Sequence, residues 1–319
     1  MGGASLSVVI PVYNAEPNLP ALVGQLVPAL EALAPRFEVI LVDDGSRDRS
    51  WEIMRRLSEE DARVRAIRLG RNYGQHNALL CGIREAQNDV VVTMDDDLQH
   101  PVSELPALLA KIAEGYDVVY GYPRREQHGF FRDLASRMTK VVLKKAMGAA
   151  TARHVSAFRA FRTRLRNSFE TYRIPFVSID LLLTWATSNF AAIAVEHAPR
   201  RAGASNYTVR KLVQHAFNLM TGFSTLPLQV ASLAGFLCTL FGIGVLAYVL
   251  VRTLLVGSPV QGFPFLASII AIFSGAQLFA MGIFGEYLAR MHFRTMDRPA
   301  YMVLESSRSP ARDLVGADG

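Results

Sequence analysis

The chain of 319 residues has only two cysteines and two tryptophans, and two long stretches of it carry no formal charge. Cys81 and Cys238 lie in unlike segments. Neither a disulfide framework nor a zinc-ligand spacing is therefore available, which fits a reducing compartment. The opening residues, MGGASLSVVIPVYN, have no basic region leading into a long apolar core and do not read as a secretory signal. No G-x-G-x-x-G follows the first apolar run and no G-x-x-x-x-G-K-[ST] occurs, which disfavours a dinucleotide dehydrogenase and a P-loop NTPase.

Asp, Glu, Lys and Arg are absent from residues 212–251 and again from 253–285, runs of 40 and 33 residues. The apolar cores at 228–251 and 263–285 each exceed the ~20 residues that cross hydrocarbon as a helix. The link between them, GSPVQGFP, is short and turn-rich. Basic residues flank the pair: Arg200, Arg201, Arg210 and Lys211 before it, Arg290, Arg294 and Arg298 after it. The positive-inside rule places both flanks in the cytoplasm and the link outside, with Arg252 snorkelling at the outer end of the first span. The expected organisation is a cytosolic domain over 1–208 and a juxtamembrane amphipathic helix over 209–226. A two-helix transmembrane domain over 227–288 and a basic cytosolic tail over 289–319, polar and partly disordered beyond Arg298, complete it.

Charge elsewhere is plentiful and net basic, +6 with a pI near 9.5, as suits a chain that meets anionic lipid, phosphorylated substrate or nucleic acid. Much of the basic charge is juxtamembrane or lies in 130–147, FFRDLASRMTKVVLKKAM, and no nucleic-acid motif is present, so no nucleic-acid partner is expected. On a helical wheel, 130–147 gathers Phe130, Phe131, Leu134, Met138, Val141 and Val142 on one arc, with its arginines and lysines mostly opposite. Such a helix suits the headgroup region of an anionic bilayer.

The first 120 residues alternate β-branched runs with amphipathic stretches. Strands are predicted at 6–12, 37–42, 64–69, 89–94 and 117–120, and helices at 18–33, 50–61, 75–86 and 103–114. That alternation implies a mostly parallel, right-handed βαβ sheet, whose ligands bind beyond the carboxyl ends of the strands. Polar clusters fall at those ends: Asp43-Asp44-Gly45-Ser46, Arg71-Asn72-Tyr73-Gly74 and Asp95-Asp96-Asp97. Asp95 and Asp97, at i and i+2 past a buried strand, leave an extended backbone on one side. With the amide oxygen of Gln99 they form a hard-oxygen set for Mg²⁺ or Mn²⁺ bridging to substrate phosphate. Asp43 or Asp44 can bond a uracil or ribose edge, with Ser46 or Ser50 capping the helix that follows. His76, His100 and His154 are assigned to no metal.

Taken in order, SVVIPVYNAEPNL, VILVDDGSRDRS, LGRNYGQHNALLCGI and DDDLQHP resemble the family 2, GT-A fold glycosyltransferases over roughly residues 7–101. The two C-terminal spans, RNYGQHNA and the late GEYLAR extend the resemblance to nearly the whole chain. They point to the polyprenyl-phosphate group, which is dolichol-phosphate mannosyltransferase-like and includes undecaprenyl-phosphate glucosyl- and aminoarabinosyl-type transferases. The implied fold is an α/β, Rossmann-like GT-A domain with a mostly parallel sheet, followed by two transmembrane helices. The implied reaction is inverting transfer from a nucleotide-sugar, with UDP favoured and GDP open, to polyprenyl phosphate at the cytosolic face of a bacterial plasma membrane. The resemblance puts Pro11, Tyr13 and Asn14 in the nucleotide pocket, Asp43 or Asp44 on the nucleoside, and Asp95, Asp97 and Gln99 on the metal. It puts Arg159, in AFRAFR, near sugar and acceptor, and Arg200, in RRAGASNY, near phosphate. A homo-oligomer is left open.

Two positions depart from the group's pattern. Arg153 stands where an acidic residue precedes the FR arginine by six positions, and Asn206 stands where G-x-S-K-Y has lysine. The changes offset in charge, or mark a different donor, a different lipid or an impaired enzyme that serves as a lipid-binding scaffold. A processive polysaccharide synthase is the other rival, but neither Trp51 nor Trp185 sits in a Q-x-x-R-W motif.

Overall fold

The computed structural model describes residues 4–124, 154–174, 177–196, 226–256, 263–295 and 299–307. The amphipathic stretch 130–147, Arg153, Arg200, Asn206 and the segment 209–225 lie outside the described residues. The chain divides into two compact units, residues 1–209 with 297–319 and residues 210–296.

The first unit is built on one eight-stranded sheet. Strands β1 (Leu6–Val12), β2 (Phe37–Asp43), β3 (Val64–Leu69) and β4 (Val90–Thr93) alternate with helices α1 (Leu19–Leu33), α2 (Ser50–Glu60) and α3 (Gln75–Glu85). A 3-10 turn (Val102–Glu104) and α4 (Leu105–Ala113) then lead to β5 (Val118–Pro123). Beyond these come β6 (Arg159–Arg162), a 3-10 segment (Thr163–Phe169), α5 (Ile179–Ala186), β7 (Phe190–Val195) and, far along the chain, β8 (Val303–Ser306). The spatial order is β7-β5-β6-β4-β1-β2-β3-β8.

Every residue of β1 is buried, because helices cover both faces of the sheet; LSVVIPV is accordingly apolar almost throughout rather than alternating. On α1 the buried residues Leu19, Leu22, Val23, Leu26 and Leu30 recur at helical spacing and pack on that sheet. Gly82 on α3 meets β1 so closely that a Cβ there would lie 2.4 Å from a methyl of Val9.

The parallel core β3-β2-β1-β4 follows the predicted βαβ order. The sheet is mostly parallel as expected, β5 and β7 included, but β6 and β8 enter it as antiparallel strands that the alternation does not show. The AFRAFR segment forms β6, which inserts antiparallel between β4 and β5 and separates two strands that are consecutive in the chain. At the other edge β8 pairs antiparallel with β3. The region read as a polar tail therefore contributes a strand: Gly70 N–H donates to the Met302 carbonyl (2.9 Å) and Ser307 N–H to that of Ala66 (2.9 Å).

The second unit holds α6 (Leu226–Val256), 31 residues, and α7 (Phe263–Thr295), 33 residues. The two helices pack together, with Gly242 against the Phe273 ring. Their formal charges are Arg252 on α6 and Glu286, Arg290 and Arg294 on α7. Large apolar side chains including Phe236, Phe241, Leu254 and Phe279 are exposed on them, Leu254 by 84%. Counted over the described residues alone, no helix is long and apolar enough to cross a membrane. Side chains at intervals along both helices fall outside that set.

Candidate active site

The carboxyl ends of β1, β2 and β4, with the loop after β3, meet in a pocket of about 270 Å³. Pro11 and Tyr13 come from the end of β1, Asp44 from β2, Asn72 and Gly74 from the β3–α3 loop, and Asp95, Asp96 and Asp97 from β4. Four walls are carboxylates and, among the described residues, none is basic.

The β4 loop is held at each of its acids. Asp95 N–H donates to His100 Nδ1 (3.3 Å), and Gln75 at the start of α3 donates its amide to Asp95 Oδ1 (2.6 Å). His100 is fixed in turn by stacking on Phe158, ring centroids 5.0 Å apart. Asp96 accepts the Tyr13 N–H (3.1 Å), joining β4 to β1, and Asp97 accepts the Gln99 N–H (3.1 Å), closing the turn. Leu98 sits within that turn at φ +61°, a left-handed conformation costly for a branched side chain. Strain of this kind persists where surrounding bonds over-determine the backbone, as they do here.

Asp43 and Asp44 divide what the sequence leaves open between them. Asp43 is fully buried behind the pocket, where it accepts the Ser46 N–H (2.9 Å) and lies 3.6 Å from Arg68 Nε. Asp44 faces the pocket and accepts the Tyr73 N–H (2.7 Å) and Gly74 N–H (2.8 Å). Burial raises its pKa to about 6 against the pull of those two bonds, with the neighbouring Asp43 adding to the rise. Gly45, at φ +71°, lets the two loops touch; a Cβ there would lie 2.6 Å from the Arg71 carbonyl carbon.

Other expected site residues are placed around the pocket rather than in it. Asn14, at φ +52°, accepts the Arg47 N–H through its side chain (2.8 Å) and donates its own N–H to Ser46 Oγ (2.9 Å), tying β1 to the β2 turn. Gln99 is not among the pocket walls. Arg159 is 1% exposed and not among the pocket walls; it is bonded to Thr93 Oγ1 (3.1 Å) and ion-paired with Asp180. Sequence reasoning gave no site role to Gln75, Asp96, His100 or Asp180, although it counted Asp96 in the polar cluster after the fourth strand and set His100 aside as no metal ligand. Gln75 lies within RNYGQHNA and the next two within DDDLQHP, so the motifs contained them without marking which side chain reaches which. Asp180 had no signal.

Among the described residues no group of three or more His, Cys, Asp or Glu could hold a metal by itself. Asp95 and Asp97 nevertheless fit a divalent cation of the kind bound through one or two carboxylates together with substrate phosphates. All their donors are hard oxygens, and an anionic phosphate against four carboxylates needs a counter-cation.

Comparison with known proteins identifies the family. The chain is 37% identical over 315 residues to the undecaprenyl-phosphate 4-deoxy-4-formamido-L-arabinose transferase of Pseudomonas aeruginosa strain LESB58, covering 98% of this chain and 93% of that one. It is 36% identical over 301 residues to the protein of the same description from Proteus mirabilis, covering 93% and 92%. Among solved structures, mannosyl-3-phosphoglycerate synthase from Rubrobacter xylanophilus matches with a TM-score of 0.52 at 18% identity, over 68% of this chain and 72% of that one, a likeness of fold. The profile of Glycosyl transferase family 2 matches residues 7–175, and the chain therefore belongs to that family and is a glycosyltransferase.

Proposed function

We propose that this enzyme transfers a sugar, with inversion, from a nucleotide-sugar of the UDP type to a polyprenyl phosphate of the undecaprenyl class at the cytosolic face of a bacterial plasma membrane. The observation that carries the proposal is the acidic pocket at the strand ends, four carboxylates without a basic wall among the described residues. Such a pocket favours a pyrophosphate-bearing donor only together with a divalent cation. The names of the full-length relatives supply the acceptor class.

In this reading Asp44 bonds the nucleoside and Pro11 and Tyr13 line its slot, while Asp95 and Asp97 would hold Mg²⁺ or Mn²⁺, with Gln99 a ligand only if its amide turns into the pocket. When bound, the cation offsets charge that builds on the departing diphosphate. Gln75 and His100 keep the Asp95 carboxylate and backbone oriented, so little reorganisation accompanies the reaction. A phosphate oxygen of the lipid attacks the anomeric carbon, and the nucleoside diphosphate leaves from the opposite side. That nucleophile is already anionic near neutral pH, so no strong general base is required.

The two long helices bring the enzyme to its acceptor. At 1.5 Å per residue, α6 is about 46 Å long, more than the ~30 Å of hydrocarbon in a bilayer. Its single formal charge and the exposed leucine and phenylalanine side chains on both helices suit lipid rather than water. The basic flanks support a cytosolic catalytic unit under the positive-inside rule. Arg200 and the basic 130–147 stretch would meet lipid phosphate.

The test is nucleoside diphosphate release by detergent-purified protein with Mg²⁺ or Mn²⁺, short polyprenyl phosphate and a panel of UDP- and GDP-sugars. Release that needs lipid, occurs with one donor and is lost in Asp97→Asn is expected. UDP binding without lipid-dependent release from any donor would refute the proposal and favour a lipid-binding scaffold.

A further inference from the structure

Among the described residues the most deeply buried basic side chain is Arg159, and nothing in the proposed reaction uses it directly. Its place follows from the sheet. On β6 it is in register with Thr93 on β4 and with Tyr120 on β5. Its Nε donates to Thr93 Oγ1 (3.1 Å), and Thr93 Oγ1 in turn donates to the Ala157 carbonyl (2.7 Å). Thr93 is the last residue of β4, two positions before Asp95. The guanidinium is closed in by Asp180, in the first turn of α5, which accepts from Arg159 Nη1 and from the Tyr120 hydroxyl (3.0 Å). A buried cation is tolerated only when it is paired and hydrogen-bonded, so Asp180 decides where Arg159 sits.

The same turn of α5 reaches the second support of the loop. Ile179 N–H points at His76 Nδ1 (3.4 Å), and His76 adjoins Gln75, whose amide holds Asp95 Oδ1. Two lines of contact, one through Arg159 and Thr93 and one through His76 and Gln75, therefore run from two adjacent residues of α5 to the Asp95–Asp97 loop.

We propose that Asp180, with Tyr120, is a positioning residue of the transferase: acting through Arg159, it fixes the end of β4 so that Asp95 and Asp97 present their carboxylates together to the divalent cation. The proposal rests on the metal-dependent reading of the pocket. Arg159 is accordingly a positioning residue rather than one that touches sugar or acceptor.

The test titrates Mn²⁺ against UDP binding in full-length detergent-purified protein, with thermal unfolding measured alongside. Asp180→Ala alone strands a buried cation and risks unfolding. The informative variants are therefore the paired Arg159→Met/Asp180→Leu, which removes both charges, and Tyr120→Phe, which removes one hydrogen bond. The paired variant is expected to unfold near the wild-type temperature yet need at least tenfold more Mn²⁺ for half-saturation. Tyr120→Phe is expected to need two- to fivefold more. A network that serves stability alone would move the unfolding temperature and leave the Mn²⁺ midpoint where it was. Wild-type midpoints in whichever variants fold would overturn the proposal. UDP binding by the wild type that ignores Mn²⁺ would overturn the metal reading itself and the proposal with it.

Discussion

Two glycines lie in contrasting surroundings, and replacing each by alanine separates the role of the pocket's loop contact from a general effect of glycine. Gly45, at φ +71°, has the Arg71 carbonyl carbon 2.6 Å and the Asn72 nitrogen 2.7 Å from where a Cβ would stand. Both obstacles are backbone, which no rotamer change can clear. Left-handed φ costs alanine about 1–2 kcal/mol, and overpacking adds about 1–3 kcal/mol. Ordinary contact at about 3.4 Å requires the 71–72 backbone to retreat by roughly 0.8 Å. The Tyr73 and Gly74 N–H groups that follow it now sit 2.7 and 2.8 Å from the Asp44 carboxylate. The same retreat would stretch both to about 3.5 Å, beyond useful hydrogen-bond length. Gly45→Ala is therefore expected to destabilise the first unit by about 2–5 kcal/mol and to weaken UDP binding at least tenfold, about 1.4 kcal/mol. Gly24, exposed on α1 with nothing within 4 Å of its missing Cβ, is the control. Gly24→Ala should raise stability by about 0.5–1 kcal/mol without touching binding. Both tryptophans, Trp51 and Trp185, belong to the first unit, so tryptophan fluorescence follows its unfolding without interference from α6 and α7. UDP affinity of Gly45→Ala within twofold of wild type would refute the loop-contact reasoning. A Gly24→Ala variant as damaged as Gly45→Ala would refute it too.

Because the Asp44 pKa is raised in the folded state from 3.8 to about 6, the native state holds a proton that the unfolded chain has released between those values. Its contribution to stability therefore rises as pH falls from about 6 to 4, while UDP binding that uses the ionised carboxylate weakens over the same range. Paired unfolding and binding profiles should show these opposite slopes, and Asp44→Asn should flatten both. Burial pushes the Cys81 thiol up to about 12, with Tyr301 beside it from the segment that leads into β8. Maleimide should leave Cys81 unmodified in the native full-length protein and label it in a chain ending at Arg298. Equal protection in the two would show that β8 is dispensable to the fold.

The sequence by itself determined the parallel core and the location of the site. In β1 to β4 strands alternate with amphipathic helices and each strand is a short run rich in apolar and β-branched residues, so 6–12 and 64–69 coincide with the observed strands. Polar residues that end such runs must emerge at one edge of the sheet, and DDGS, RNYG and DDD do so. The tertiary structure decided what depends on partners distant in the chain. Val303–Ser306 reads as a tail because its four residues are all exposed and too few to show a pattern, yet β3 offers an unpaired edge that they complete. AFRAFR carries an arginine that looks available to substrate, and only the antiparallel insertion of β6 beside Thr93, with Asp180 brought from 21 residues away, buries it. The choice between Asp43 and Asp44 was equally unreadable. Adjacent strand residues face opposite ways, and which one meets the pocket depends on the sheet face that the β3–α3 loop covers.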